Sequence, residues 1–188
     1  APWIEPGTFL YPLKQKWFAS HTQMANEPSF VDGGEDPANK KIYYHYGLDS
    51  GGVEGMVDVI AATDGRVISS GTNVLSRYDD SPVKPRYDVV YLLDDRGWYY
   101  RYSHLQTIDP AVRPGASMKM GQKVGVLGKE GGSGGWSHLH FDISCRQPSG
   151  KWGIQEGYAF LWETYHRQYS PPIVAVARPH HFVYAGDK

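Results

Sequence analysis

The rhythm of hydrophobic and polar positions changes along the chain, and each rhythm predicts a different structure. Residues 1–40 keep no period: Pro2, Pro6, Pro12, Pro28, Pro37 and the turn-rich VDGGEDPANK interrupt it, which predicts an extended arm wrapping the domain. Strand rhythm begins at Lys41. MVDVIAA (56–62) alternates as a half-buried strand does, and Asp64-Gly65 marks a tight turn into RVISSG. RYDVVYLLDD (86–95) and WYYRYSHL (98–105) are dense in β-branched and aromatic residues, so they read as two arms of a hairpin around Asp95, Arg96 and Gly97. VRPGASMKMGQKVGVLG (112–128) reads as a Pro-Gly turn, a turn at Gly121 and a short apolar strand through Val124 and Val126, and HLHFDISC (138–145) is the last strand. Then the period lengthens. Ile154, Tyr158, Trp162, Tyr165 and Tyr169 recur at helical spacing, predicting a helix over about 154–169 that Pro171 and Pro172 stop. The tail IVAVARPHHFVYAGDK is expected to add a strand or an arm.

Composition narrows the class. The 188 residues suffice for one domain with elaborations; 40% hydrophobic and 21% charged residues describe a globular chain. A net charge of −1 implies no strong pull toward nucleic acid or an anionic membrane. No apolar run approaches the roughly 20 residues that span a bilayer. Cys145 is the only cysteine, which excludes an intrachain disulfide and a cysteine-based zinc site. The start, APWIEPG, fits either a processed mature N-terminus or a trimmed one.

Chemistry enters at GGSGGWSHLHFDI (131–143). On a strand, His138 and His140 share a face while Leu139 points away, which suits a metal ligand beside a second catalytic group. Upstream, IYYHYGLDS supplies His45 and Asp49, four residues apart. A neutral imidazole and a carboxylate both bind Zn²⁺, and His140 would complete three protein ligands and leave one position for water, the count of a catalytic site. His104, in YRYSHL, ends a predicted strand and could face the same pocket. Taken singly, His45 and Asp49 read as a surface pair and His104 as a strand cap.

Taken in order, His45-x-x-x-Asp49, Tyr102-Ser103-His104-Leu105, the Gly-rich loop and His138-Leu139-His140-Phe141 resemble the lysostaphin-like zinc metallopeptidases. Ala61-Ala62-Thr63-Asp64-Gly65-Arg66-Val67 is similar to the family's strand-turn-strand segment, and Pro114-Gly115 with Met120-Gly121-Gln122-Lys123-Val124-Gly125 to its hairpin before the glycine loop. The resemblance covers roughly 41–146. It implies a mainly β fold, a compact antiparallel sheet with the metal in a groove between long loops. It further implies one Zn²⁺ held by His45, Asp49 and His140, with His104 and His138 as catalytic histidines, either of them the base. The expected organisation is an arm (1–40), a catalytic domain (41–146) and a C-terminal extension (147–188).

The function implied is a secreted or periplasmic zinc endopeptidase whose partner is the peptide of peptidoglycan. Two other readings stand beside it. The same groove could serve an acidic polysaccharide, cleaved by elimination, with Arg66, Arg77, Arg86 or Arg101 meeting the uronates. A catalytically dead regulator could use the fold to bind a partner. His21, His166, His180 and His181 match nothing in the pattern, and His166 is expected to be solvated. Trp136 is expected to stack on substrate or pin the loop. SGGVEGMVD after Asp49 and the tyrosines at 43, 44 and 46 depart from the family's usual residues.

Overall fold

The computed structural model describes residues 7–15, 27–31, 41–155 and 157–169. Among them lie three antiparallel sheets and one helix. The main sheet runs in the order β10 (Ser117–Met118), β5 (Gly65–Ser70), β7 (Val90–Leu93), β8 (Tyr99–Ser103), β12 (His138–Arg146), β13 (Trp152–Gln155). Two further strands join it off this path, β3 (Leu48–Gly51) on β12 and β6 (Asn73–Val74) on β5. A three-stranded sheet, β4 (Asp58–Ile60), β11 (Lys123–Leu127) and β9 (Leu105–Ile108), lies beside it, and β1 (Glu27–Val31) pairs with β2 (Lys41–His45). The mainly β antiparallel fold expected from the sequence is the fold observed.

The predicted hairpin forms with Leu93 opposite Tyr99. Its turn is built by Asp94, whose carboxylate accepts the backbone N–H groups of Arg96 and Trp98 at 2.9 and 3.0 Å and the Tyr100 hydroxyl at 2.8 Å. A short acceptor side chain closing its own turn is the reason aspartate is favoured there. The second arm divides at His104, giving β8 and β9 rather than one strand. The strand expected over 56–62 shrinks to Asp58–Ile60: Met56 is 80% exposed in a turn, while Ala61 and Ala62 are buried beyond the strand's end.

The C-terminal helix, α1 (Tyr158–Tyr169), is shorter than its period suggested. Ile154 belongs to β13, pairing with Ser144 of β12, because ladder bonds there outweigh a weak helical pattern. The tail after Tyr169 lies outside the described residues.

The core is continuous from sheet to helix. Phe141, Tyr100, Tyr102, Leu92, Leu139 and Leu161 are all at most 1% exposed. Residues 7–15 do not merely cover it. Phe9, Tyr11 and Leu13 alternate inward and are fully buried, with Leu13 bridging Val59. Helix α1 grips this segment: Gln168 Oε1 accepts the Tyr11 N–H at 2.9 Å, and Arg167 Nη2 donates to the Phe9 carbonyl at 3.1 Å. The Tyr11 and Tyr165 rings meet edge to face at 5.3 Å, so first and last described elements share one apolar seam.

Candidate metal centre and active site

The site is laid out by β12. Its alternation sends Leu139, Phe141 and Ile143 into the core and His138, His140 and Asp142 to the opposite face. Asp49 on β3 sits directly across from His140 in the register, the position where cross-strand side chains touch.

His45 arrives differently. The four-residue spacing to Asp49 is not one strand: the chain leaves β2, turns through Tyr46 and Gly47, and re-enters as β3. Gly47 makes the turn at φ 121°, and a Cβ there would stand 2.8 Å from the Phe141 carbonyl oxygen and 2.9 Å from His140 Nε2. Only glycine fits that conformation and that space.

Three donor atoms meet as a result. His45 Nε2 is 3.1 Å from His140 Nδ1 and 3.1 Å from Asp49 Oδ1, and the last two are 3.0 Å apart. All three residues are nearly closed to solvent. Ligands about 2.0–2.1 Å from a tetrahedral ion stand about 3.3 Å from one another, so the triangle has the size and donor chemistry of a zinc site. His140 Nε2 faces Asp142 Oδ2 at 3.1 Å. Donating there leaves the Nδ1 lone pair for a metal, the arrangement by which outer carboxylates orient ligating histidines.

Two more imidazoles stand beside the cluster. His138 Nδ1 donates to the Trp136 carbonyl at 3.1 Å, and His104 Nδ1 to the Glu130 carbonyl at 2.6 Å. A carbonyl only accepts, so in each neutral ring the hydrogen sits on Nδ1 and Nε2 keeps its lone pair. The rings are 4.7 Å apart, centroid to centroid. The Trp136 indole stacks on His138 at 3.7 Å and 16°, so it pins this ring from one side.

His104 adopts φ 69°, a left-handed backbone rare for a side-chain-bearing residue. Asp88 holds it there, accepting the His104 N–H at 2.9 Å through Oδ2. Arg86 in turn clamps both oxygens of Asp88, with Nη2 to Oδ2 at 2.7 Å and Nε to Oδ1.

The electrostatics follow from burial and pairing. Burial works to raise the Asp49 carboxyl, but hydrogen bonds from His140 and His45 outweigh it and hold it well below the usual range. Burial works to lower His140, but Asp142 and Asp49 outweigh it and hold it raised. His138 is brought down to about 4, chiefly by burial, with Asp49 opposing. Burial opposes, and His104 and Arg86 achieve, a depressed Asp88. A proton held among His140, Asp49 and Asp142 would occupy the place of a cation, and a metal ion taking the site would displace it.

All five residues singled out in the sequence, His45, Asp49, His104, His138 and His140, line one cleft of about 430 Å³. Of the four arginines considered, Arg86 and Arg101 reach it and Arg66 and Arg77 do not. Gly132, Ser133, Gly134 and Trp136 bring the glycine loop to its rim. His166 is half-buried against Trp162 at 4.6 Å and is no part of it. His21, His180 and His181 fall outside the described residues. Asp142 and Asp88 were not singled out. Asp142 was within reach of the period-2 pattern, two residues past His140; nothing in the spacing of Asp88 marks it.

A closed triad of two imidazoles and a carboxylate, with two Nδ1-anchored histidines alongside, is the outline of a metal-dependent hydrolase. The family can be stated outright: the pattern of peptidase family M23 matches residues 43–150, more than half of the chain, and the chain belongs to that family. Among solved structures it is similar to the catalytic domain of the antimicrobial peptidase lysostaphin from Staphylococcus simulans. That likeness has a TM-score of 0.52 at 22% identity, over 77% of this chain and 92% of that one. It spans 61% of a fuller lysostaphin chain, at 24% identity, 86% of this chain and a TM-score of 0.50. It is also similar to a chain of the SpoIIIAH and SpoIIQ complex, with a TM-score of 0.55 at 19% identity, over 80% of this chain and 97% of that one. At such identities the likeness is one of fold. No curated protein matches the sequence.

Proposed function

We propose that this chain is a zinc-dependent endopeptidase that cleaves peptide bonds of peptidoglycan outside the cytoplasm. Its catalytic unit would be residues 41–146, flanked by an N-terminal arm (1–40) and a C-terminal extension (147–188). The reading rests above all on the meeting of His45 Nε2, Asp49 Oδ1 and His140 Nδ1 within 3.1 Å of one another, in a chain of a peptidase family.

His45, Asp49 and His140 would hold one Zn²⁺, which supplies Lewis acidity and makes water a nucleophile near neutral pH. His138 and His104 do the proton work. Each offers an Nε2 lone pair on a ring fixed through Nδ1, so either can take the proton of the attacking water and the other can serve the leaving amine. Once protonated, either ring becomes a donor that stabilises charge developing on the carbonyl oxygen. The depressed pKa of His138, about 4, keeps that ring neutral at pH 7, with its Nε2 lone pair unprotonated. Asp88 holds His104 in its left-handed conformation, and Trp136 holds the His138 plane.

A polysaccharide substrate is the second reading, and Arg86 and Arg101 in the cleft are the cations it needs. Arg86, however, is occupied by the two-pronged pair with Asp88, which leaves a single cation for a string of uronates. Metal analysis joined to digestion of purified peptidoglycan and acidic polysaccharides tests the choice. About one zinc per chain with new amines is expected; ultraviolet-absorbing unsaturated sugars without amines would overturn the peptidase reading.

A further inference from the structure

A second hollow of about 600 Å³ opens on the same sheet face and meets the cleft at Arg101, which lines both. It follows the cross-strand row Tyr91–Arg101–Asp142 over β7, β8 and β12. Lys84 and Tyr46 stand at its sides, and Trp152 of β13 lies at its far end.

Its chemistry is one-sided. Lys84 and Arg101 are its cations, and Asp142 is its one acid among the described lining residues. Asp142 is already engaged by His140 at 3.1 Å and by Arg101 Nη1 at 3.4 Å. Two residues of its lining each carry a buried atom with no hydrogen-bond partner among the described residues: Arg101 Nε and Trp152 Nε1. Both can only donate. A buried donor calls for an acceptor, and a guanidinium with an ammonium nearby selects an anionic, planar one. Asp142 links this hollow to the ligand His140, so Arg101 is two polar contacts from the metal triad. At about 3.4 Å per extended residue, an anion there falls within two or three residues of a bond held at the metal.

We propose that this hollow is a carboxylate-binding subsite, with Arg101 and Lys84 selecting an acidic peptide: one with a glutamate-like side chain or a free C-terminus two or three residues from the scissile bond. This deepens the peptidase reading and rests on it.

The test measures binding apart from cleavage. Calorimetry on the full zinc-loaded chain would compare a set of capped glycine hexapeptides carrying one Glu at successive positions with their Gln counterparts. One Glu position is expected to bind about tenfold tighter than its Gln twin, as a charge-assisted pair predicts. Lys84 is exposed and remote from the triad's contacts, so Lys84→Gln should fold normally and shrink that preference, and Lys84→Glu should reverse it. Arg101→Gln should abolish it, with zinc content measured alongside because Arg101 touches Asp142. No Glu preference at any position, including no measurable binding, overturns the proposal. Tighter binding of an oligouronate than of every Glu peptide also overturns it, in favour of a polysaccharide. Amine release from peptidoglycan by the unaltered protein is scored separately. Its loss with the Glu preference intact would count against the peptidase reading and leave the carboxylate site standing.

Discussion

Strand β12 divides two regions that are held together by opposite means. On its inner face Phe141 packs against Phe9, Tyr100 and Tyr102 with ring centroids 6.3, 6.3 and 5.2 Å apart. These contacts are non-directional and continue into the seam of Tyr11 and Tyr165. On its outer face His140, Asp49 and His45 point lone pairs at one another across 3.0–3.1 Å. Every atom of that triangle is an acceptor unless a proton or a cation intervenes, so its cohesion depends on the charge placed between them. The difference shows where stability and chemistry reside. Buried apolar area holds the strand, and the opposite face can carry groups that would otherwise push apart.

That division can be broken from either side of the strand. His140→Ala removes one donor of the triangle and is expected to take zinc from about one ion per chain to near none, with essentially all peptidase activity, while the metal-free protein still folds. Zinc retained at full stoichiometry by this variant would refute the ligand assignment. Its neighbour does the reverse. Phe141→Ala empties a fully buried site and should cost about 3–5 kcal/mol in urea unfolding, with zinc stoichiometry unchanged in the folded fraction.

Asp142→Asn sharpens the outer face. The His140 ring loses its anionic partner, and competition with a chelator should reveal zinc affinity lower by about 10–100-fold, with stoichiometry intact at saturating metal. The smallest effect expected is at Asp88. Asp88→Asn should lower turnover without changing zinc content, because His104 loses its anchor. The sign of the pH effect is set by the depressed Asp88 carboxyl. Its contribution is fully present above the ordinary carboxylate pKa of about 3.9 and is lost as pH falls through the lower folded-state value. The stability gap between the unaltered protein and Asp88→Asn should therefore hold from pH 7 to about 5 and close at more acidic pH; a gap that widened on acidification would rule out this role.

Much of the outer face is legible in the sequence because strand alternation is a local rule. Once HLHFDISC is read as a strand, His138 and His140 must share a face and Leu139 must leave it. Asp142 obeys the same rule. Asp88 does not: its bond to the His104 N–H spans sixteen residues and depends on β7 lying beside β8. The union of His45 with Asp49 was legible as a spacing but not as a mechanism, since the turn at Gly47, and not a shared strand, brings them together. The inward placing of Phe9, Tyr11 and Leu13 was not legible, since FLYPL shows no alternation of apolar and polar residues, and only α1 packing across the segment makes it a core layer.

By itself, then, the sequence determined the β-rich character of the chain, the hairpin of 86–105, and the inward and outward faces of β12, because period and turn chemistry act over a few neighbouring residues; the order of its motifs picked out the five residues that meet in the cleft. The tertiary structure decided which ring nitrogen of His104 and His138 is anchored, which carboxylates stand behind the cluster, and that Arg101 joins two hollows. Those depend on partners far apart in the chain, and a side chain's hydrogen-bond geometry exists only once the sheet has brought them within about 3 Å.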